Sequence, residues 1–222
     1  MAAQFKNIIT ELDTTGSGQT ILRCPAGKTI LIKGFRVRNT NASNSISYLA
    51  FEDNSISTSS FPLQKGTVNA GTETTSQLPF VLEQNDELLW QTQRADQHIT
   101  LSYVELDSGI QQRYKMITKS LTTADSADSF VTCPTGSTII VNLVVFYNNS
   151  GSSATTNTFT ITDSSASITK ELDKGTIADA AQSSYNRAFV LESGDSLNFT
   201  PDEQPFTVYC TYLEIRKSPL RS

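Results

Sequence analysis

In 222 residues the chain has one histidine, one tryptophan and three cysteines. The single imidazole, His98, offers at most one general base of the commonest kind, and no Asp or Glu run has calcium-loop spacing. The expectation is a chain with no catalytic residues, cofactor or metal, and therefore not an enzyme. Cys24, Cys133 and Cys210 are odd in number and lack metal-like spacing, which predicts reduced, unligated thiols. No apolar stretch approaches the ~18 residues of a membrane helix. The start, MAAQFKNIITELD, lacks a basic segment followed by an apolar run. A protein made in a cytoplasm, with no membrane partner, is expected. Asn41, Asn148 and Asn198 open glycosylation-like triplets, which then read as chance matches. Lys and Arg number 17 against 22 Asp and Glu, for a net charge of -5. A nucleic-acid partner is excluded on the same ground, since phosphate binders cluster their cations. The one basic run is RKSPLRS at the C-terminus.

What the chain does have is itself, twice. CPAGKTILI from Cys24 returns as CPTGSTIIV from Cys133, an offset of 109 residues. LQKGTV from Leu63 returns as LDKGTI from Leu172, FVLEQNDEL from Phe80 as FVLESGDSL from Phe189, and YVEL from Tyr103 as YLEI from Tyr212, all at the same spacing. FKNI at Phe5 likewise matches YKMI at Tyr114. A tandem duplication follows: one domain over 1–107, a polar linker at 108–112, and a second domain over 113–222. Around ISYLAFEDNS and NTFTITDSSA the register slips by about one residue, as loop insertions allow.

Each copy reads as strands. KTILIKGFRVR, residues 28–38, alternates apolar and polar side chains, and STIIVNLVVFY does so with a more apolar exterior. NIITEL, QTILRC, SYLAFE, SSFPLQ, PFVLE, ELLWQTQ and HITLSYVEL are further candidates, bounded by Gly, Pro, Asn, Asp or Ser. About eight strands in about a hundred residues predict an all-β fold: two tandem jelly-roll-like antiparallel β-sandwich domains. DAAQSSYNRA has room for a turn or two of helix at most, and Lys65 and Lys174 fall in Lys-Gly-Thr segments that read as turns.

The duplication also interprets Gly194-Asp195-Ser196-Leu197, four letters shared with a family of serine esterases. Its counterpart is Asn85-Asp86-Glu87-Leu88, so the turn is kept and the serine is not. Gly and Asn tolerate positive φ, and Asp bonds nearby amides, which suits a bend between strands. Ser196 then begins a strand. His98 occupies an alternating strand position with Thr207 as its match, and reads as a half-exposed strand residue. Glu105 and Glu214 match across the copies near the end of the closing strand, where a carboxylate faces solvent or pairs with a cation.

The order of strand, Pro-x-Gly-x-Thr, long strand ending in Asn, Lys-Gly-Thr, then Phe-Val-Leu-Glu-x-Gly-Asp-x-Leu resembles small β-sandwich domains of tailed-bacteriophage virion proteins. Pro25, Gly27, Thr29, Asn39, Gly66, Leu82, Asp86 and Leu88 carry the resemblance in the first copy. Pro134, Gly136, Thr138, Asn148, Gly175, Leu191, Gly194, Asp195 and Leu197 carry it in the second, and Asn85 departs from the pattern where Gly194 keeps it. The resemblance implies a non-enzymatic virion structural protein that decorates the head or completes the neck or tail. Its partners would be other virion proteins or further copies of itself. The other class is a carbohydrate-binding module, for which Trp90, Tyr185 and Phe61 would supply aromatic contacts. Interface candidates are the cations Arg216, Lys217 and Arg221 and the aromatics Trp90 and Tyr185. Trp90 is replaced by Phe199 in the second copy, which fits either a core aromatic or an exposed anchor.

Overall fold

The computed structural model describes residues 3–12, 16, 18–54, 59–76, 79–108, 112–121, 124, 126–149, 155–179, 181–202 and 205–216. The chain divides into two compact units, Met1–Ser108 and Gly109–Ser222. In the first, β1 (Ala3–Leu12), β2 (Gln19–Arg23), β3 (Lys28–Asn39), β4 (Ser45–Asp53), β5 (Ser59–Val68), β6 (Glu73–Ser76), β7 (Phe80–Leu82), β8 (Glu87–Thr92) and β9 (Gln97–Asp107) follow one another. In the second come β10 (Gln112–Leu121), β11 (Asp128–Thr132), β12 (Ser137–Asn148), β13 (Thr155–Asp163), β14 (Ile168–Ile177), β15 (Gln182–Tyr185), β16 (Phe189–Leu191), β17 (Ser196–Pro201) and β18 (Phe206–Arg216).

In the first unit β1 pairs β9, β2 pairs β8, β3 pairs β6 and β7, and β4 pairs β5, all antiparallel. This is one long hairpin nested on itself, with β4 and β5 as its innermost pair. Pairing of β3 with β9 and of β4 with β8 folds it into two sheets, β1-β9-β3-β6 and β2-β8-β4-β5. That is the jelly-roll arrangement. The second unit repeats it as β10-β18-β12-β15, with β16 also on β12, and β11-β17-β13-β14. Two jelly-roll sandwiches therefore make up the chain.

The side-chain pattern accounts for the strands and for their interruptions. On β3 the core receives Ile30 and Ile32, then Phe35 and Val37, so the inward position shifts by one. A bulge between Ile32 and Gly34 absorbs the shift, because an extra residue turns the following side chains to the other face. β12 does the same, with Ile139 and Val141, then Val144 and Phe146, around a bulge between Val141 and Leu143. Bulges at Thr20/Leu22 and Leu49/Ala50 also recur, at Ser129/Val131 and Phe159/Thr160. The duplication thus preserved the irregularities that shape the sheets.

Two local expectations are corrected. The segment suggested for a helical turn contains β15, whose Gln182–Tyr185 hydrogen-bond the end of β12. Lys65-Gly66-Thr67 and Lys174-Gly175-Thr176 are not turns but lie within β5 and β14. Gly66 pairs Ser47 and Gly175 pairs Asn157 in extended ladders, and neither glycine is among the residues at positive φ. In an edge strand a glycine costs little packing, because one side has no neighbouring strand to lose.

Candidate functional site

The esterase-like letters resolve into a clasp between turns. Asn85 and Gly194 sit at φ 73° and 92°. Behind them the Asp86 carboxylate accepts the amide N–H of Glu83 at 2.7 Å and of Asn54 at 3.2 Å, and Asp195 accepts those of Glu192 at 2.9 Å and Ser164 at 3.0 Å. The backbone then closes on the Cys-Pro turn. Cys24 N–H donates to the Asp86 carbonyl and Asn85 N–H to the Cys24 carbonyl, both at 2.9 Å, and Cys133, Asp195 and Gly194 repeat the pair. Ser196 is half-buried at the start of β17, its Oγ 3.4 Å from Asn198 Oδ1. Burial pushes the Asp86 carboxyl up to about 7, helped by the nearby Asp53 charge and opposed by the Glu83 and Asn54 amides.

The other charged candidates are held within their own units. His98 is half-exposed, its Nε2 3.3 Å from Glu11 Oε1 directly across the β1–β9 ladder. Glu105 pairs with Lys6 at 2.6 Å, and Glu214 with Lys115 at 3.3 Å and Arg216 at 2.8 Å. Burial pushes the Glu214 carboxyl up, but hydrogen bonds and charge from Arg216 and Lys115 outweigh it and hold the group below the usual carboxylate range. Arg216 is thus engaged by its own strand, whereas Lys217 and Arg221 lie outside the described residues. A shallow hollow of about 270 Å³ is lined by Arg36, Arg38, Thr40, His98 and Thr100, where Arg36 bonds Glu73.

The aromatic candidates do not share a surface. Trp90 is 0% exposed and its Nε1 donates to Ser47 Oγ at 2.8 Å, so the exposed-anchor expectation is wrong for this residue. Alternation on β8 turns Leu88, Trp90 and Thr92 inward together. Phe61 is buried against Phe51 in the same core. Tyr185 is half-buried in the second unit, its ring 5.3 Å from Phe159 and 5.9 Å from Phe189.

Sequence reasoning missed a larger feature on the outer face of β5, β4 and β8. An open cleft of about 580 Å³ is lined there by Ile46, Tyr48, Lys65, Gln91, Thr92, Gln93 and Gly16. Lys65, Tyr48 and Gln91 stand abreast, because Tyr48 is register partner to both of the others. Ile46 lies two residues along β4 on the same face, and Gln93 N–H donates to its carbonyl at 3.0 Å. The Gln91 amide bonds the Gly16 carbonyl. Burial pushes the half-buried Tyr48 phenol up, partly offset by a hydrogen bond with Ser60. The only signal in the sequence was the divergence of the copies. The matching row of the second unit is Lys174, Thr158 and Thr200.

No protein-family model matches the chain, and no curated protein matches it in sequence. Likeness to solved structures is confined to the fold. The STIV major capsid protein, of Sulfolobus turreted icosahedral virus, shares 10% identity at a TM-score of 0.39, with 97% of each chain covered. The major capsid protein P2 of bacteriophage PM2 shares 10% identity at 0.37, with 99% of each covered. PNGase F, a glycosylasparaginase from Flavobacterium meningosepticum, shares 8% identity at 0.46, with 97% of each covered. Viral capsid proteins and an enzyme therefore both stand among the structures this chain resembles.

That last neighbour corrects the expectation that the chain is not an enzyme. The inference rested on the scarcity of imidazoles, and carboxylates alone can perform acid–base catalysis when burial separates their pKa values.

Proposed function

We propose that the protein is a structural component of a bacteriophage particle, added to the head, neck or tail and assembled in the host cytoplasm. The observation that carries this reading is the outward face of β1. Phe5 and Ile9 are 83% and 75% exposed, on a strand that pairs only β9 among the described residues. A long edge strand bearing large exposed apolar side chains invites association unless a neighbour covers it. In the second unit the matching positions on β10 are Tyr114, half-buried, and Thr118, buried, so the exposure belongs to the first copy. Burying Phe5 and Ile9 against another subunit would contribute about 1.5–3 kcal/mol each. The resemblance carried by the Pro-x-Gly-x-Thr and Gly-Asp turns supports the same role.

The partners are other virion proteins or further copies of this chain. Lys217 and Arg221 would add cations to the contact with an acidic neighbour, beside Arg216, which stays bound to Glu214. Exposed pairs contribute only about 0.2–1 kcal/mol each, so they tune docking that apolar contact supplies. The test is reconstitution onto particles lacking the protein, comparing the native chain with Phe5→Ser/Ile9→Ser. The double variant should keep its melting temperature within a few degrees and lose at least tenfold in particle association. Equal incorporation of the two proteins would overturn the reading.

A further inference from the structure

We infer that the cleft over Tyr48 is a binding site for a pyranose-containing glycan. The inference is independent of the particle-assembly reading, since it concerns another face of the first unit. It starts from what the lining side chains can recognise. Tyr48 and Ile46, side by side on β4, make an apolar floor, and a phenol ring is amphipathic, with an apolar face and a polar rim. On one side of that floor stands Lys65, and on the other Gln91 and Gln93. A carboxamide both donates and accepts hydrogen bonds, as a sugar hydroxyl does, and an ammonium only donates. A pyranose ring combines those two demands: C–H faces that stack on an aromatic floor and hydroxyls around the rim that need mixed donors and acceptors.

Other ligand classes fit less well. A phosphate or nucleotide would call for several convergent cations, and among the described residues the lining supplies Lys65 alone. A purely apolar ligand would set an unmatched surface against the Lys65 ammonium and the exposed Gln91 and Gln93 carboxamides. The volume of about 580 Å³ lies within the range of small-ligand sites, roughly 300–1,000 Å³. The cleft is also built on strands: two ladders set the backbone of Lys65, Tyr48 and Gln91 abreast, so the three side chains rise from one row of the sheet.

The comparison between the copies sharpens the assignment. Lys174 keeps the cation, while Thr158 and Thr200 replace Tyr48 and Gln91. The second unit has therefore lost both the floor and one amide, and serves as an internal control. Lys65 favours a sugar bearing a carboxylate, and neutral and uronate ligands separate that contribution.

The experiment uses the full chain on immobilised neutral hexose oligomers and uronate oligomers, followed by calorimetric titration with whichever is retained. Retention is expected, weakened at least tenfold by Tyr48→Ala and by Gln91→Ala. Tyr48→Phe should retain most of it, and Thr158→Ala should leave it unchanged. Loss on the uronate series alone in Lys65→Ala identifies the carboxylate contact. Melting curves exclude misfolding of the variants. Absence of retention on every oligomer, or retention unaffected by both alanine variants, overturns the assignment. Neither result bears on particle association, which is measured separately.

Discussion

Asn85 and Gly194 occupy the same point of the two duplicated turns, both at positive φ, and the glycine lies against the side chain of Ser164. A Cβ at Gly194 would fall 2.7 Å from Ser164 Oγ and 3.4 Å from its Cβ. Two costs add at Gly194→Ala: the left-handed backbone, about 1–2 kcal/mol for an ordinary residue, and displacement of the Ser164 side chain, which bonds Asp195. A loss of about 2 kcal/mol or more is expected for the second unit in denaturant titration. Asn85→Gly, which removes the backbone cost, should be neutral or stabilising.

Asp86 makes the first unit sensitive to pH. Its folded carboxyl is raised to about 7, chiefly by burial, whereas an unfolded Asp titrates near 3.9. Between those values the folded state holds a proton that the unfolded state has released. The contribution of this carboxyl to stability is therefore greatest below about pH 4, declines as pH rises towards 7 and levels off above that. The melting temperature of the first unit, followed from pH 4 to 8, should fall across that interval. Asp86→Asn should flatten the decline, while lowering stability throughout because an amide cannot accept both the Glu83 and Asn54 N–H groups.

The repeated spacing of 109 made the strands, the two sandwiches and the Asp-containing turns legible, because each copy confirmed the reading of the other. Three things escaped it. Lys-Gly-Thr reads as a turn in isolation, and only the ladders to Ser47 and Asn157 show why an edge strand tolerates glycine. Trp90 had two sequence readings, and inward alternation with Leu88 on β8 decided between them. The Tyr48 cleft needs Lys65, Tyr48 and Gln91 side by side, on strands that are not consecutive in the chain. No local pattern carries that information.

The thiols give a third prediction. Cys24 and Cys210 are 0% exposed and Cys133 is 1% exposed. Burial is the main cause that pushes the Cys24 thiol up to about 12, and it raises Cys210 as well. A buried, protonated thiol is a poor nucleophile. At neutral pH the native chain should consume almost no thiol-specific reagent, and the denatured chain three equivalents, one for each cysteine. Fast labelling of one thiol in the native protein would contradict the closed packing around Cys24, Cys133 and Cys210.

The single tryptophan makes the first unit separately observable. Trp90 lies in the first sandwich at 0% exposure, with its indole N–H bonded to Ser47 Oγ, while Phe199 fills the matching place among the rings of Phe146 and Phe206. Native emission should therefore be blue-shifted, and its red shift in denaturant should follow the first unit alone, while far-ultraviolet circular dichroism follows both. Trp90→Phe removes the indole hydrogen bond and some volume but keeps a ring, as the second copy does, so about 1–2 kcal/mol should be lost. Trp90→Ala leaves a cavity between the sheets and the Ser47 hydroxyl without its indole donor, for a loss of about 3–5 kcal/mol. In both variants the transition attributed to the second unit should stay in place. If Trp90→Ala moved both transitions equally, the two sandwiches would unfold as one cooperative body, and the tryptophan signal would report on the whole chain.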